Sequence, residues 1–132
     1  MITTADRFEI YELLALHAHV FDANELDRVD ELFTPDATYD MRSSGLGLFT
    51  GVDQLRAAAG QMFASGHAPR AHHLTNVVVT HADDDTATVR SKALMIMSDG
   101  GFHSVTYDDT VRRLDGRWRV SSRVITPAGA SA

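Results

Sequence analysis

The hydrophobic pattern of this chain changes its period once, near residue 70. Before that point, apolar residues recur at three- and four-residue steps, as in helices that bury one face. After it, apolar and polar residues alternate, as in strands that bury one face. Helices followed by a run of strands predict an α+β fold, in which the helices pack against a mostly antiparallel sheet.

The first part of the chain predicts three helices and one short strand. The first helix, over 4–22, has an apolar stripe of Ile10, Leu13, Leu14, His17, Ala18 and Phe21. Thr3 and Asp6 resemble a capping box at its start. The other expected elements are a helix over 24–33 that ends before Pro35, a strand over 37–41, a glycine-rich loop over 43–51, and a helix over 52–65 that uses Leu55, Ala59, Met62 and Phe63 and ends at Gly66.

The second part predicts a meander of four strands, with turn signals at 82–85, 99–101 and 115–116. In strand 102–114, alternation places four residues on the inward face: Val105, Tyr107, Asp109 and Val111. In strand 117–126, the same rule predicts that Trp118, Val120 and Val124 face inward and that Arg117, Arg119 and Arg123 face outward.

Length and composition restrict the class of protein. A chain of 132 residues fits one domain, which we expect over 1–127 with a loose tail over 128–132. The net charge of −6 argues against nucleic acid or an anionic membrane as a partner. The absence of cysteine excludes disulfides and thiolate sites. With no signal-peptide pattern and no apolar run of membrane-spanning length, we expect a cytoplasmic protein.

Two carboxylates and a histidine pair stand out as candidate chemistry. Asp109 falls on an inward face, where an unpaired charge is costly, and Asp22 lies at the end of the first helix's apolar stripe. His72 and His73 open a strand and must point to opposite faces, so alternation alone leaves open which one faces inward. An inward histidine with two carboxylates would form a proton-transfer site.

Each of these residues also has a structural interpretation. Asp22 could be the N-cap of the second helix or bind a loop amide, and Asp109 could pair with an arginine. A histidine on a strand is often a satisfied structural group. The seven histidines show no metal-ligand spacing, so no metal site is predicted.

The segments "LLALHAHVFDANELDRVDELFTPDATYD", "HHLTNVVVTHADDDTATVRSKALM" and "YDDTVRRLDGRWRVSSRV" together resemble the SnoaL-like branch of the NTF2-like superfamily. That branch includes scytalone dehydratase and is structurally akin to ketosteroid isomerase. The resemblance implies a cone in which a strongly curved sheet wraps the first helix and leaves an apolar pocket. It also implies a homodimer through the outer face of the sheet.

The resemblance further implies roles for individual residues. The family's helix-ending aspartate falls on Asp22, its H-x-x-x-N pattern on His72 and Asn76, and its Y-x-D pattern on Tyr107 and Asp109. On this alignment His72, Leu74 and Asn76 share the inward face, and His73, Thr75 and Val77 the other. The residues expected to line the pocket are Phe21, Tyr39, Met41, Phe49, His17, Asn76, Ser91 and Met62. Phe21, Met41 and Ser91 stand where scytalone dehydratase has two tyrosines and a second histidine.

The resemblance implies a lyase or isomerase that needs no cofactor and acts on a small hydrophobic, oxygenated ring compound such as a polyketide or a steroid-like molecule. His72 would transfer the proton. Asp22 would orient the His72 imidazole and favour its charged form. Tyr107 and Asp109 would bind the substrate oxygen. The alternative is a non-catalytic module that binds a small ligand or supports assembly, because one fold serves many functions.

Overall fold

The structure is a computed structural model that describes residues 1–129 of the 132-residue chain. It contains three α-helices and six strands. The helices are α1 (Thr4–Asp22), α2 (Val29–Leu32) and α3 (Val52–Ala64), and the strands are β1 (Phe33–Asp40), β2 (Leu48–Thr50), β3 (Ala71–Ala82), β4 (Thr86–Ile96), β5 (Phe102–Leu114) and β6 (Arg117–Pro127).

The six strands form one open sheet in the order β2-β1-β6-β5-β4-β3. All neighbours are antiparallel except β1 and β6, which are parallel. Helix α1 packs against β3 and β6, while α3 packs against β1 and β2. Because the inward side chains of β4, β5 and β6 meet the apolar stripe of α1, the core lies between this helix and the sheet. The predicted α+β class is confirmed.

Several predicted boundaries in the first half are wrong. The second helix is only one α-helical turn after a short 3-10 turn at Leu26–Arg28, and β1 begins at Phe33 rather than at residue 37. The glycine-rich loop contains a short edge strand, β2. On α3, Phe63 is 46% exposed instead of buried. Gly66 does follow α3 in the left-handed conformation (φ 77°), which a glycine adopts without strain.

A bulge in β6 overturns the predicted facing of its second half. Thr110 pairs with Ser122 but Val111 pairs with Val120, so Ser121 is an extra residue in β6. One extra residue reverses the alternation beyond it. Trp118 and Val120 are buried as predicted, but after the bulge it is Arg123 and Ile125 that are buried, while Val124 is exposed. The prediction that Arg123 faces outward is therefore wrong.

A second bulge changes the facing of β3. Thr75 pairs with Lys92 and Val78 with Arg90, so β3 has one extra residue between these two pairs. Asn76 lies within it with φ 55°, a left-handed conformation that asparagine tolerates better than most residues. Asn76 is exposed and Val77 packs against the core, so the expectation that Asn76 shares the inward face of His72 is wrong.

Strand β6 ends at Pro127, and Ala128 and Gly129 form an exposed turn. Residues 130–132 of the predicted tail lie outside the described residues. No helix within 1–129 is long and apolar enough to cross a membrane.

The predicted capping box of α1 is present. The Thr3 hydroxyl accepts a hydrogen bond from the Asp6 backbone N–H at 3.0 Å, and the Asp6 carboxylate accepts one from the Thr3 N–H at 2.8 Å. We expect Thr3→Ala to lower the free energy of unfolding by about 0.5–2 kcal/mol, the usual effect of removing such a cap. Urea denaturation measures this loss, and Thr4→Ala, one residue on, is the control that should change little.

Asp6 also links α1 to β6 and β5. Its carboxylate accepts a hydrogen bond from the Trp118 indole N–H at 3.2 Å and pairs with Arg113. The Thr3 backbone N–H, followed by the Trp118 indole N–H, holds the pKa of Asp6 well below its usual range. A lowered pKa stabilises the folded state above the ordinary carboxyl pKa, and this contribution is lost as the pH falls through the folded-state pKa.

We therefore expect Asp6→Asn to be less stable than the parent protein at pH 7, and we expect the difference to shrink as the pH drops below about 4. Urea midpoints at pH 7 and pH 3 test this dependence. A stability difference that does not change between the two pH values would contradict it.

Candidate active site

Asp22 and His72 are in direct contact where the end of α1 meets the start of β3. Oδ1 of Asp22 lies 2.5 Å from Nδ1 of His72, and Oδ2 accepts a hydrogen bond from the His72 backbone N–H at 2.9 Å. The carboxylate thus fixes both the backbone and the ring of His72. Because Asp22 occupies Nδ1, Nε2 on the other side of the ring is the nitrogen left for a ligand.

The two structural interpretations of Asp22 can be compared with this geometry. The 3-10 turn that follows α1 has Glu25 as its N-cap, without a side-chain cap bond, so Asp22 is not an N-cap. Asp22 does bind an amide, but that amide belongs to His72 itself. His73 is exposed and lies opposite Leu94 of β4. The structure therefore brings Asp22 together with His72 and not with His73.

Asp109 forms a buried ion pair with Arg123. Its two oxygens accept hydrogen bonds from Nε at 2.7 Å and Nη2 at 2.8 Å, and both side chains are fully buried. Asp109 and Arg123 are also opposite each other in the β5–β6 register. Arg123 was not predicted at the site, because a bulge cannot be read from alternation. The one sequence signal for an inward arginine was Asp109 itself, because a carboxylate on a buried face needs a partner.

Two tyrosines flank this ion pair. The Arg123 guanidinium lies 3.9 Å from the centre of the Tyr107 ring, and Tyr39 is opposite Arg123 in the β1–β6 register. Burial raises the pKa of both tyrosines. Burial acts to lower the pKa of Arg123, but the adjacent Asp109 carboxylate more than offsets this effect, and the net pKa is raised. Both phenols are therefore neutral donors beside a charged guanidinium at neutral pH.

His17 of α1 is the centre of an aromatic cluster. Its ring centre lies 4.4 Å from that of Phe21, 6.1 Å from Tyr107 and 6.3 Å from both Tyr39 and His72. Burial lowers its pKa strongly, and the charges of Arg123 and His72 lower it further. His17 is therefore neutral, and its buried Nε2 has no hydrogen-bond partner within the described residues.

The remaining predicted pocket residues are distributed around this cluster. Ser91 is fully buried opposite Tyr107, and its hydroxyl has no partner within residues 1–129. Met41 and Phe49 are partly buried against the core at the end of the sheet where β1 meets β2. Met62 is half-buried on α3. Asn76 is exposed at the β3 bulge, away from the position that was predicted for it.

Two surface grooves accompany α1. A groove of about 300 Å³ between α1 and β3 is lined by Ala15, Ala18, His19, Asp22, Ala71, His72, His73 and Leu74. A larger groove of about 440 Å³ extends over Leu13, Leu16 and Trp118 and contains none of the residues predicted to be catalytic. The smaller groove gives solvent access to the Asp22–His72 pair, and the side chains of the cluster around Tyr107 are buried.

These groups can support acid–base chemistry. An imidazole held by a carboxylate can take up and return a proton, and buried donors can stabilise negative charge that develops on a nearby oxygen. Within residues 1–129 no group of three or more histidine, aspartate or glutamate side chains is placed to hold a metal ion.

Comparison with known proteins defines the class. The model of the SnoaL-like domain matches residues 3–124, and the chain therefore belongs to this family. It is 30% identical over 128 residues to the uncharacterized protein Rv2910c of Mycobacterium tuberculosis, covering 92% of this chain and 85% of the relative.

Solved structures agree with this assignment. A protein of Novosphingobium aromaticivorans, provisionally assigned as an aromatic ring hydroxylase, has a TM-score of 0.84 at 27% identity over 99% of this chain and 96% of its own. A second protein of that organism, provisionally assigned as a scytalone dehydratase, has a TM-score of 0.80 at 20% identity over 96% and 87%. At 20% identity, the similarity to this second protein shows a shared fold only.

Proposed function

We propose that this protein is a cofactor-free proton-transfer enzyme (a dehydratase, isomerase or cyclase) that acts on a small, oxygenated, largely apolar ring compound. The observation that carries the proposal is the contact between Asp22 and His72, in which the carboxylate holds Nδ1 at 2.5 Å. Such a contact fixes the tautomer and the orientation of an imidazole and stabilises its protonated form.

In this proposal Nε2 of His72 removes a proton from the substrate and returns it. Negative charge then develops on a substrate oxygen, and Tyr107 and Arg123 are the nearby donors that can stabilise it. Asp109 acts through Arg123, because both of its oxygens are bound to the guanidinium. This differs from the direct substrate contact that the sequence suggested for Asp109.

The surroundings support an apolar ligand. Phe21, Phe33, Tyr39 and Tyr107 are grouped around His17, so a ring compound would be held by aromatic faces with few polar groups. We further propose a cytoplasmic homodimer that associates through the outer face of the sheet, where Val78, Leu94 and Val124 are exposed. Light scattering at micromolar concentration tests the dimer, and a monomer mass would refute it.

The proposed activity can be tested without knowing the natural substrate. Incubation in D2O with 1-tetralone, 4-chromanone and 2-acetylnaphthalene reports proton abstraction as deuterium incorporated next to the carbonyl. We expect the parent protein to catalyse exchange in at least one of these ketones. His72→Ala should reduce the rate by about 10²–10⁴, the usual contribution of a general acid–base group.

His73→Ala is the matched control, because it removes the adjacent but exposed imidazole. It should retain the exchange rate of the parent protein. Equal rates for the two variants would refute the role of His72. Ketones that bind to the parent protein without any exchange would favour the alternative function, a non-catalytic small-ligand-binding module.

A further inference from the structure

Three buried polar atoms without partners surround Tyr107. They are Nη1 of Arg123, Oγ of Ser91 and Nε2 of His17, and none has a hydrogen-bond partner within the described part of the chain. Ser91 is opposite Tyr107 in the β4–β5 register, Arg123 stacks on its ring, and His17 meets it edge-on. Buried polar groups are nearly always paired, so three unpaired atoms around one side chain indicate a place for polar atoms of a ligand.

The formal charges around these atoms cancel. Arg123 is positive, Asp109 is paired with it through both oxygens, and the neighbouring His17, Tyr39 and Tyr107 are neutral. A carboxylate brought here would find the guanidinium already neutralised and would face Asp109, a like charge. A ligand ammonium would find no free carboxylate, because Asp22 is bound to His72.

We infer that Asp109 determines ligand specificity: it makes the site select an uncharged molecule whose oxygen accepts a hydrogen bond from Nη1 of Arg123, and it excludes molecules that carry a carboxylate. The inference rests on the proposed function for the location of the site and adds the charge and polarity of its ligand. Asp109 leaves one donor nitrogen of Arg123 available while removing the net positive charge that would attract an anion.

Two probes of nearly the same shape test this selectivity. 2-Acetylnaphthalene carries a neutral carbonyl where 2-naphthoate carries a carboxylate. Isothermal titration calorimetry should show that the parent protein binds the ketone about tenfold or more tightly than the carboxylate, since a like charge is placed against Asp109. Equal affinities, tighter binding of 2-naphthoate, or binding of neither probe would overturn the inference.

Asp109→Asn tests the cause directly. It preserves the shape of the side chain but leaves Arg123 as an uncompensated cation, so 2-naphthoate should now bind about tenfold or more tightly than it binds the parent. Asp108→Asn is the matched control. It makes the same substitution one residue away on the outer face, where Asp108 pairs with Arg90, and it should keep the preference for the ketone. An unchanged preference in Asp109→Asn would overturn the inference.

If Asp109→Asn does not fold, the double variant Asp109→Leu/Arg123→Leu provides the test. It removes the pair and the donor together, so 2-acetylnaphthalene should lose affinity while 2-ethylnaphthalene, which has no acceptor, should not. Retained ketone affinity would contradict the inference. These readouts are binding constants, so selective ketone binding without deuterium exchange would refute the proposed catalysis alone, and exchange without selectivity would refute this inference alone.

Discussion

Asp22→Asn is expected to reduce the rate of deuterium exchange by about 10²–10⁴. The amide keeps the shape of the side chain and one acceptor oxygen, but it removes the charge that stabilises a protonated His72. It also replaces one of the two oxygens that bind His72 with a group that cannot accept a hydrogen bond. The measurement is the rate of deuterium incorporation under saturating ketone.

The stability of this variant should change little, because two effects oppose each other. A carboxylate at the C-terminal end of α1 is unfavourable by about 0.3–1 kcal/mol, whereas loss of one hydrogen bond costs about 0.5–1.5 kcal/mol. Asp27→Asn is the control, because it removes the same charge at an exposed position. It should leave the exchange rate unaltered. An Asp22→Asn protein that exchanges deuterium as fast as the parent would show that the pair is structural.

Arg123→Leu is expected to produce the largest loss of stability. It leaves Asp109 buried without a partner, and breaking a buried pair in this way costs about 3–5 kcal/mol. For a domain of this size the melting temperature should fall by about 10–20 °C. Differential scanning calorimetry or urea denaturation at pH 7 measures the effect.

The ion pair formed by the next carboxylate on β5, Asp108, provides the comparison. Arg90 and Asp108 lie on the outer face with side chains 63% and 43% exposed, so Arg90→Leu should cost no more than about 1 kcal/mol. The double replacement Asp109→Leu/Arg123→Leu should recover much of the stability that the single change loses. Similar losses for Arg123→Leu and Arg90→Leu would contradict a buried, desolvated pair.

Sequence patterns predicted the long elements well because those elements repeat one period many times. Helix α1 carries its stripe over five turns, and β4 and β5 alternate without a break. Short elements are set by tertiary contacts instead. Strand β1 begins four residues earlier than predicted because the extended conformation required before Pro35 continues directly into the pairing with β6.

Both errors at the site come from single inserted residues. A bulge at Ser121 turned Arg123 inward, and a bulge at Asn76 turned that residue outward. Alternation assumes an unbroken ladder, so it assigns every residue beyond a bulge to the wrong face. Alternation placed Val124 on the buried face, whereas the pairing with β5 buries Ile125 and leaves Val124 exposed.

The contact between Asp22 and His72 could be anticipated only in part. The sequence placed one carboxylate at the end of a helical stripe and two histidines on opposite faces of a strand, but no local pattern connects residues 50 positions apart. The family resemblance favoured His72, and the structure places its ring against Asp22. The role of the pair in catalysis remains a prediction.

A crystal structure of Asp22→Asn with the ketone that exchanges fastest in the parent protein would decide whether His72 is the proton-transferring group. Nε2 of His72 should lie within about 3.5 Å of the exchanging carbon, the distance required for reaction. The carbonyl oxygen should accept a hydrogen bond from Nη1 of Arg123. A ketone bound instead in the groove over Leu16 and Trp118, with its exchanging carbon far from His72, would contradict proton transfer by His72.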